Sequence, residues 1–577
     1  MLSGYRLQSV SDAVGYHSES LSAGVGYYVG GENQMYWSSG GVEQIGLKQG
    51  QLVTSEALTG ALSGKFTDSD GKQVDLTGNS KGHRPGFDST WTPPKTVSIS
   101  ALMGGDERVV DLCRQINQDR INYTERHLAA HRQRVEGGEQ AIKTGVMLTA
   151  TAVHVSDREG MPNLHFHNLT ANATKGPDGQ WRALDNDQFF SPQARKKMDQ
   201  ISIHQLRAGL EQLGYTTVTT VSKDGHSFEI AEFEGLKAAT SVRTGQIETK
   251  LKEWGIDPHK ATPAQKQSAN LATRANKTDE KTNLAELKPE WEKLAQAHGV
   301  SPEQITQGAR IKGRLAVDQK SNHKEAELAL AKAVGSLGER GQAFSDLDLR
   351  AAATKFGFER TDSESVSQAV ERWSKNGQLV ERQLAGGMSG WTTPDQIQAE
   401  LKIKDFIERG RGAVDRPIFG SKEEFEKSVQ EFETFKSAGA GKEWRLTQEQ
   451  KEASWMVTGS TERVGVIQGA AGTGKTASLE FGAWAADRVG VKMIGASATG
   501  KAAAGLQKET GMGSDTLAGL LSRLDKPGGL EEITKGGKPV VVVLDEGGLA
   551  STRDVAKLVG HLEGVPGVKL VSMGDVN

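Results

Sequence analysis

Hydrophobic and polar positions between residues 145 and 172 predict a β-hairpin. The run GVMLTATAV (145–153) is apolar and rich in β-branched residues, which favour strands. The following SDREGMPN (156–163) is rich in turn formers. His165 and His167 come next and are two residues apart, so on a strand both side chains leave the same face. Folding the hairpin brings His154, which ends the first run, close to both.

Three imidazoles converging on one point are typical of a metal site. Neutral imidazoles bind divalent ions, and three of them leave coordination positions open for a substrate oxygen. The sequence therefore predicts that His154, His165 and His167 hold a divalent metal. The alternative is that two or three of them are ordinary strand histidines.

The stretch before the hairpin supplies further elements. Asp88 lies in an alternating stretch suited to a strand end, and TVSIS (96–100) is predicted as a strand after Pro93-Pro94. Residues 104–136 predict one long amphipathic helix with an acidic first turn. Together these elements indicate an α+β domain with an antiparallel sheet. A carboxylate such as Asp88 beside a metal–histidine cluster commonly orients an imidazole or takes a proton from a nucleophile.

Tyrosines near the start of the chain are candidate nucleophiles. Tyr16 follows a helical-looking segment, whereas Tyr27 and Tyr28 follow a glycine-punctuated one. A phenol next to a metal can attack an electrophile. The alternative is that these aromatic rings only pack.

Composition narrows the class of protein. The 577 residues are enough for roughly three or four domains, and 36% hydrophobic with 25% charged residues is typical of a globular protein. With a net charge of −3, any nucleic-acid groove must be local. The single Cys113, predicted to be a buried structural thiol, excludes an internal disulfide framework and a thiolate metal cluster. No apolar run approaches membrane-spanning length. We therefore expect a cytoplasmic protein without membrane insertion.

The middle of the chain predicts smaller units. Residues 193–215 predict a helix and 216–230 a hairpin, followed by a polar helical stretch in which Arg274, Lys277 and Lys281 cluster. Residues 325–393 predict three short helices and a glycine-turned hairpin, which suggests a winged-helix-like module. Residues 401–444 are charged and predict a linker with one helix.

The last segment carries a phosphate-binding pattern. RVGVIQGAAGTGKTASLEF (463–481) predicts a buried strand, a glycine-rich loop and a helix start. In this pattern backbone amides cradle phosphates, the lysine reaches the terminal ones and the threonine hydroxyl binds Mg²⁺. A second buried strand ends in Asp545-Glu546, which suits Mg²⁺ binding and activation of water. We expect ATP and Mg²⁺ to bind at these residues: Gly469, Gly472, Gly474, Lys475, Thr476, Asp545 and Glu546.

Three motifs in the first 300 residues resemble the conjugative relaxases of the MobF class. They are HRPGFDSTWTPPKTVSIS, the histidine triad with Arg158, and the early tyrosines with WSSGGVEQIGL. The resemblance implies a histidine-hydrophobe-histidine endonuclease with a five-stranded antiparallel palm. It implies that Tyr16 is the first nucleophile, that Tyr27 or Tyr28 belongs to a second tyrosine cluster, and that Asp88 supports the site. The family usually shows two tyrosine doublets, whereas here the first position reads Tyr16-His17.

The same resemblance implies ligands and partners. It implies Mg²⁺, Mn²⁺ or Zn²⁺ at the triad, and single-stranded DNA with an origin-of-transfer hairpin as substrate. It also implies a helical lid at about residues 240–300, relaxosome accessory proteins, a secretion-system coupling protein and a bacterial cytoplasm.

The last segment resembles RecD-like superfamily-one helicases through IGASATGKAAAGL (494–506) and LTQEQ (446–450). This resemblance implies that Gln450 reads adenine. A translocase needs a second motor lobe and an arginine finger, so we expect the chain, which ends within what looks like the next helicase motif, to be a fragment.

These patterns predict four parts: a relaxase domain over 1–300, a helical or winged-helix-like module over 301–400, a linker over 401–444, and a truncated first RecA-like α/β helicase lobe over 445–577. The predicted function is nicking and religation of plasmid origin DNA through a 5′-phosphotyrosine, coupled in the full-length protein to ATP-driven helicase activity. The alternatives are a rolling-circle replication initiator, a repair-type helicase with a degenerate nuclease domain, and an ATP-gated DNA-binding scaffold.

Overall fold

The computed structural model of the chain forms two compact units. The first comprises Met1–Gly335, Ser345–Asn376 and Glu381–Trp391, and the second comprises Ser336–Phe344, Gly377–Val380 and Thr392–Asn577. The structure describes residues 1–17, 34–78, 83–135, 138–222, 225–258, 260–273, 284–313, 319–339, 341, 343–470, 474–534 and 539–574.

The strands are numbered in chain order. They are β1 Leu2–Arg6, β2 Met35–Trp37, β3 Lys65–Thr67, β4 Gln73–Asp75, β5 Gly86–Trp91, β6 Ala130–Val135, β7 Gly138–Lys143, β8 Thr149–Ser156, β9 Pro162–Ala171, β10 Thr174–Lys175, β11 Trp181–Arg182, β12 Thr217–Ser222, β13 Gly225–Ile230, β14 Phe344–Ser345, β15 Val380–Gln383, β16 Ser389–Thr392, β17 Val464–Gln468, β18 Lys492–Ser497, β19 Gly513–Thr516, β20 Val540–Asp545 and β21 Lys569–Gly574.

The α-helices are identified by their bounds. Up to residue 375 they are Val10–Tyr16, Ser55–Ser63, Lys95–Ser98, Glu107–Leu128, Asp187–Phe190, Pro192–Gln212, Glu234–Thr240, Val242–Glu253, Pro263–Ala272, Leu284–Ala297, Pro302–Lys312, Gln319–Gly338, Asp346–Phe356 and Ser363–Lys375. Beyond it they are Pro394–Arg409, Lys422–Ala440, Gln448–Thr458, Lys475–Arg488, Gly500–Thr510, Leu517–Leu524, Gly529–Thr534 and Thr552–Leu562. Short 3₁₀ turns cover Gly40–Ile45, Ala231–Phe233, Ala385–Gly387 and Gly547–Leu549, and a π-helix covers Ile99–Met103.

A five-stranded sheet organises the first unit, with strand order β1-β5-β9-β8-β2. Every neighbouring pair is antiparallel, and His154 of β8 lies directly opposite His165 of β9. The predicted α+β class, the histidine hairpin and the five-stranded antiparallel sheet are therefore confirmed.

The two faces of this sheet bury different cores. On one face Trp91 and Phe166 pack with Cys113 and Ile116 of the helix Glu107–Leu128 and with Leu206 of the helix Pro192–Gln212. Burying each large apolar side chain contributes roughly 1.5–3 kcal/mol. The other face packs small residues of β8 and β9 against the helices Val10–Tyr16 and Ser55–Ser63. Because strand side chains alternate, Phe166 points into the first core while His165 and His167 point away from it.

Two predictions for the first unit were wrong. TVSIS is helical, within Lys95–Ser98 and Ile99–Met103. Residues 96–102 are all buried. A segment buried on every side shows no alternation of exposed and buried positions, so its periodicity does not distinguish a helix from a strand. The predicted long helix ends at Leu128, and the next residues form β6, which pairs with β7. Residues Arg132–Arg134 are good helix formers, so their propensity predicts a helix, whereas pairing with β7 makes this segment a strand.

Other predicted elements of the first unit are confirmed. The helix Pro192–Gln212 and the hairpin β12–β13 lie where expected, and Cys113 is buried. Residues 240–300 contain helices, as expected, but Arg274, Lys277 and Lys281 lie outside the described residues. Three helices and the strands β15 and β16 also lie where the sequence predicts them between residues 325 and 393.

The second unit is built on a five-stranded parallel sheet with strand order β17-β21-β20-β18-β19. Its central strand β20 is the buried run Val540–Leu544 of valine and leucine, as expected for a parallel sheet covered on both faces. The stretch predicted as a linker with one helix contains the end of the helix Pro394–Arg409 and the whole helix Lys422–Ala440. Phe406, Phe425 and Phe432 of these helices are buried in the cores of this unit. Among the described residues, no helix is both long and apolar enough to cross a bilayer.

Candidate active site

Three histidines meet on one face of the antiparallel sheet. The ring centroids of His154 and His165 are 5.2 Å apart, those of His154 and His167 5.0 Å, and those of His165 and His167 5.2 Å. One ring nitrogen from each lies within 4.8 Å of one from each of the others. This convergence follows from the strand register, because directly paired residues point to the same side of an antiparallel sheet.

The protonation of His165 suits a metal ligand. Burial, together with the neighbouring His167 imidazole, lowers the pKa of His165 to about 4, so this ring is neutral at pH 7. Its Nδ1 lies 2.8 Å from the carbonyl oxygen of Asn163 and donates to it. Nε2 therefore keeps its lone pair for a ligand.

A buried carboxylate orients His167. Nδ1 of His167 lies 2.7 Å from Oδ2 of Asp88, which is fully buried on β5. Thr90, two residues along the same strand, donates to Oδ1 of Asp88 at 3.3 Å. Burial alone would raise the pKa of Asp88, but the charge and hydrogen bond of His167, with a hydrogen bond from Tyr5, hold it below its ordinary value. This carboxylate fixes which nitrogen of His167 faces the other two histidines.

Tyr16 ends a short helix beside the cluster. Ser9 caps the helix Val10–Tyr16 by accepting from the amide of Asp12. The centroid of the Tyr16 ring lies 5.6 Å from that of His167 and 6.3 Å from that of His154. The half-buried phenol is thus a neighbour of the triad. Tyr27 and Tyr28 lie outside the described residues.

The second unit places its candidate residues at the carboxyl ends of its strands. The glycine-rich loop follows β17, and the helix Lys475–Arg488 begins directly after Gly474. Nζ of Lys475 donates to the carbonyl oxygen of Gly469 at 2.5 Å. Thr476 lies in the first turn of the helix, and Gly472 lies outside the described residues. The start of a helix at this loop offers unpaired amides to an anion.

Gly474 has a conformation that favours glycine. Its φ is +76°, and a Cβ added there would lie 2.2 Å from Nε2 of Gln450. The Gln450 side chain also accepts from the Thr447 amide at 3.0 Å, which completes a capping box on the helix Gln448–Thr458. Gln450 is thereby held against the loop, where the sequence predicted a nucleotide contact.

Asp545 is the last residue of the buried strand β20, and Glu546 follows it. Glu546 is the only non-glycine residue of the described parts of the chain with a positive φ, at 50°. This left-handed conformation is costly for a side-chain-bearing residue, and such strain gathers at functional sites.

Comparisons with known proteins identify the family. Residues 10–298 match the model of the TrwC relaxase family, and residues 445–577 match an AAA domain. The chain belongs to the TrwC relaxase family. The relaxase match contains Tyr16, Asp88 and the three histidines, and the AAA match contains the glycine-rich loop.

Named relatives are similar to parts of this chain. It is 27% identical over 435 residues to the multifunctional conjugation protein TraI of Escherichia coli, an alignment that covers 72% of this chain and 23% of TraI. It is 37% identical over 131 residues to the probable conjugal transfer protein TraA of Sinorhizobium fredii, covering 23% of this chain and 11% of TraA. The chain thus spans less than a quarter of the length of these curated relatives. A copper-bound structure of the conjugative relaxase TrwC in complex with oriT DNA is 28% identical, covers 52% of this chain and all of its own, and gives a TM-score of 0.46.

Three residues near this relaxase's histidine cluster were missed by sequence reasoning. His17 is buried against His167, Thr90 donates to Asp88, and Tyr5 lies opposite Asp88 across β1 and β5. The alternation D-S-T in β5 places Thr90 on the same face as Asp88 and could have identified it. His17 and Tyr5 carried no local signal, because their positions depend on which elements pack against the sheet.

Proposed function

We propose that this relaxase nicks and religates single-stranded plasmid DNA at a transfer origin, with Tyr16 as the nucleophile. The observation that carries the proposal is the Tyr16 ring beside His154 and His167, with Asp88 hydrogen-bonded to His167. A phenol, a cluster of imidazoles and a buried carboxylate are the groups that a tyrosine-mediated phosphodiester exchange requires.

The triad fits a divalent ion. His154, His165 and His167 offer three nitrogen donors, the low pKa of His165 keeps its donor unprotonated, and Asp88 supplies the outer hydrogen bond typical of metal-bound histidines. Mg²⁺, Mn²⁺ and Zn²⁺ are the candidate ions. When bound, the ion supplies positive charge against a nonbridging oxygen of the scissile phosphate.

The exchange conserves one phosphodiester bond. The Tyr16 oxygen forms a bond to phosphorus, and the bond from phosphorus to the 3′ oxygen breaks. The phenol loses its proton to a base, and the 3′ oxygen gains a proton and becomes a free hydroxyl. The product is a 5′-phosphotyrosine, and reversal of the same step religates the strand. Tyr27 and Tyr28 are candidates for a second strand transfer.

The AAA domain supports a second proposal, that ATP and Mg²⁺ bind the second unit. The fit rests on the left-handed conformation of Gly474, where a Cβ would meet Gln450, and on Lys475 and Thr476 at the start of the following helix. Gln450 would contact the base, and Asp545 with Glu546 would hold Mg²⁺ and a water. Bound ATP supplies the phosphoanhydride whose hydrolysis drives a motor. In the full-length protein this would power a DNA helicase.

The same function implies partners. The substrate would be single-stranded DNA that carries an origin-of-transfer hairpin. Relaxosome accessory proteins and a coupling protein of a secretion system would recruit the chain in a bacterial cytoplasm.

The decisive experiment looks for DNA attached to the protein. The chain is incubated with candidate origin oligonucleotides and Mn²⁺ or Mg²⁺, and the denatured mixture is resolved by electrophoresis. We expect a covalent adduct whose tryptic peptide carries a nucleotide on Tyr16, located by tandem mass spectrometry. Tyr16→Phe keeps the ring and removes the hydroxyl, so it should yield no adduct. A DNA-binding scaffold would bind the oligonucleotides without forming an adduct.

A further inference from the structure

His17 is a fourth imidazole beside the metal triad. It is the residue that follows the helix Val10–Tyr16, and only 2% of it is exposed. Its ring centroid lies 5.3 Å from that of His167 and 5.7 Å from that of His154. The ring is thus removed from water beside two other imidazoles, and burying a polar ring costs free energy unless contacts compensate for it.

Asp88 faces two imidazoles. A ring nitrogen of His17, a carboxylate oxygen of Asp88 and a ring nitrogen of His167 all lie within 4.8 Å of one another. The Asp88 carboxylate therefore lies close to both the His17 and the His167 imidazole.

The contact of His17 with Tyr16 completes the arrangement. Their ring centroids are 4.8 Å apart with an interplanar angle of 80°, an edge-to-face geometry that aromatic rings favour. His17 thus contacts the proposed nucleophile on one side and lies beside the Asp88–His167 pair on the other. This position suits a residue that fixes the relative orientation of the phenol and a metal ligand.

A second cation site is the competing interpretation of His17, Asp88 and His167. However, Nδ1 of His167 and Oδ2 of Asp88 are already joined by a hydrogen bond of 2.7 Å. An ion bound among the three residues would have to break that bond and take Asp88 away from its role as the orienting partner of His167. The geometry therefore favours a role in orientation.

We propose that His17 is a positioning residue, which holds the Tyr16 phenol against the histidine cluster and orients His167 through Asp88. The proposal rests on the proposed function, because the phenol and the metal ligand must act together on one phosphate. Orientation of this kind accelerates a reaction because the reacting groups no longer have to be arranged in each turnover.

The test compares variants of the full chain that separate shape from hydrogen bonding. His17→Phe keeps an aromatic ring of similar size and removes both nitrogens. His17→Asn and His17→Gln each keep one polar nitrogen, at the positions that correspond to Nδ1 and Nε2. His127→Phe makes the same change in a ring that stacks on Tyr123 away from the cluster, and serves as the control.

Two readouts are measured. One is the single-turnover rate of adduct formation at saturating origin oligonucleotide. The other is the affinity and visible absorption of Co²⁺, titrated into the metal-free protein, which reports the geometry of the ligands without any DNA. For His17→Phe we expect the rate and the Co²⁺ affinity each to fall about 10- to 100-fold, as for other partners of metal-binding histidines. The Kd for DNA should stay within threefold. Either His17→Asn or His17→Gln should recover, on a logarithmic scale, at least half of the loss in rate and half of the loss in Co²⁺ affinity. The control His127→Phe should match the unsubstituted chain in both.

Other outcomes would overturn the proposal. If His17→Phe keeps both values within twofold, His17 only fills space. If both polar variants are as impaired as His17→Phe, its role is structural. If His17→Phe changes only the rate of adduct formation or only Co²⁺ binding, His17 does not orient His167 and Tyr16 together. If the unsubstituted chain forms no adduct, the proposed function fails. In that case, a Co²⁺ spectrum that is altered by His17→Phe would still show that His17 orients the metal ligands.

Discussion

The histidine cluster of the first unit and the glycine-rich loop of the second are built in opposite ways. The cluster combines side chains from a helix and three strands, and its members span Tyr16 to His167. The loop lies within one continuous stretch between β17 and the helix Lys475–Arg488. One site depends on long-range strand pairing, and the other on local backbone conformation.

This difference decides what each site tolerates. In the cluster the critical contacts are between side chains, such as Nδ1 of His167 with Asp88 at 2.7 Å. At the loop the critical feature is the left-handed backbone conformation of Gly474, where a Cβ would also meet the Gln450 side chain. Substitutions that delete functional groups should therefore damage the first site most, and those that change backbone freedom should damage the second.

Removal of a metal ligand should have the largest effect. In His165→Ala the metal keeps two histidine ligands, and we expect divalent-dependent nicking to fall by roughly 10³-fold, on the scale of a lost transition-state contact. DNA affinity should change only a few-fold, because it comes mostly from phosphate and stacking contacts. Single-turnover nicking and fluorescence anisotropy measure the two quantities. Undiminished nicking at ordinary metal concentration would refute the metal assignment.

Loss of the orienting carboxylate should have the next largest effect. Asp88→Asn keeps the shape of the side chain but removes the charge that His167 pairs with. We expect nicking and metal affinity to fall about 10- to 100-fold. Calorimetric titration with Mn²⁺ and the nicking rate should decrease together. A variant that binds metal and nicks as the unsubstituted chain does would show that Asp88 is dispensable.

Local signals made some of these features predictable. His165 and His167 were identified because strand periodicity places both on one face, and His154 because turn formers separate two apolar runs. The loop was identified because its chemistry is contiguous in sequence. The roles assigned to these residues remain predictions.

Other features depend on packing that no local pattern records. Thr96 and Val97 favour strands on propensity, so the sequence predicts a strand where the structure has the helix Lys95–Ser98, and burial against the sheet decides their conformation. Donation from Thr96 Oγ1 to Glu229, 133 residues away, stabilises that helix, and the sequence does not reveal this pairing. His17 was missed for the same reason.

A backbone substitution tests the second site. Gly474→Ala puts a Cβ at a φ of +76° and 2.2 Å from Nε2 of Gln450. We expect the second unit to lose about 1–2 kcal/mol of stability, because alanine resists the left-handed conformation, and nucleotide affinity to fall with it. Urea unfolding and binding of a fluorescent ATP analogue measure the two effects.

The control for this substitution is Gly439→Ala. Gly439 lies in the helix Lys422–Ala440, and a Cβ there meets nothing within 4 Å. Alanine should be neutral or stabilise that helix by up to about 1 kcal/mol. Equal effects of the two alanines would mean that the loop tolerates a side chain at Gly474.

The smallest effect concerns a buried histidine outside both sites. His204 is fully buried, and Nδ1 lies 2.9 Å from the hydroxyl oxygen of Ser363. Burial, together with the nearby Arg207, lowers the pKa of His204 to about 4, the same value as for His165. A low pKa therefore marks burial in this protein and does not by itself mark the active site.

The low pKa of His204 makes stability depend on pH. An unfolded histidine has a pKa of about 6.5, so between pH 6.5 and 4 the unfolded chain binds a proton that the folded chain excludes. The stabilisation is complete above pH 6.5 and is lost as the pH falls toward 4, by at most about 3 kcal/mol for this residue. His204→Gln removes the titrating group and keeps a hydrogen-bonding amide. In EDTA, the urea midpoint of the first unit should fall less steeply between pH 7 and pH 5 in this variant than in the unsubstituted chain. The residual slope would belong to His165 and other titrating groups, and an unchanged slope would mean that folding does not lower the pKa of His204.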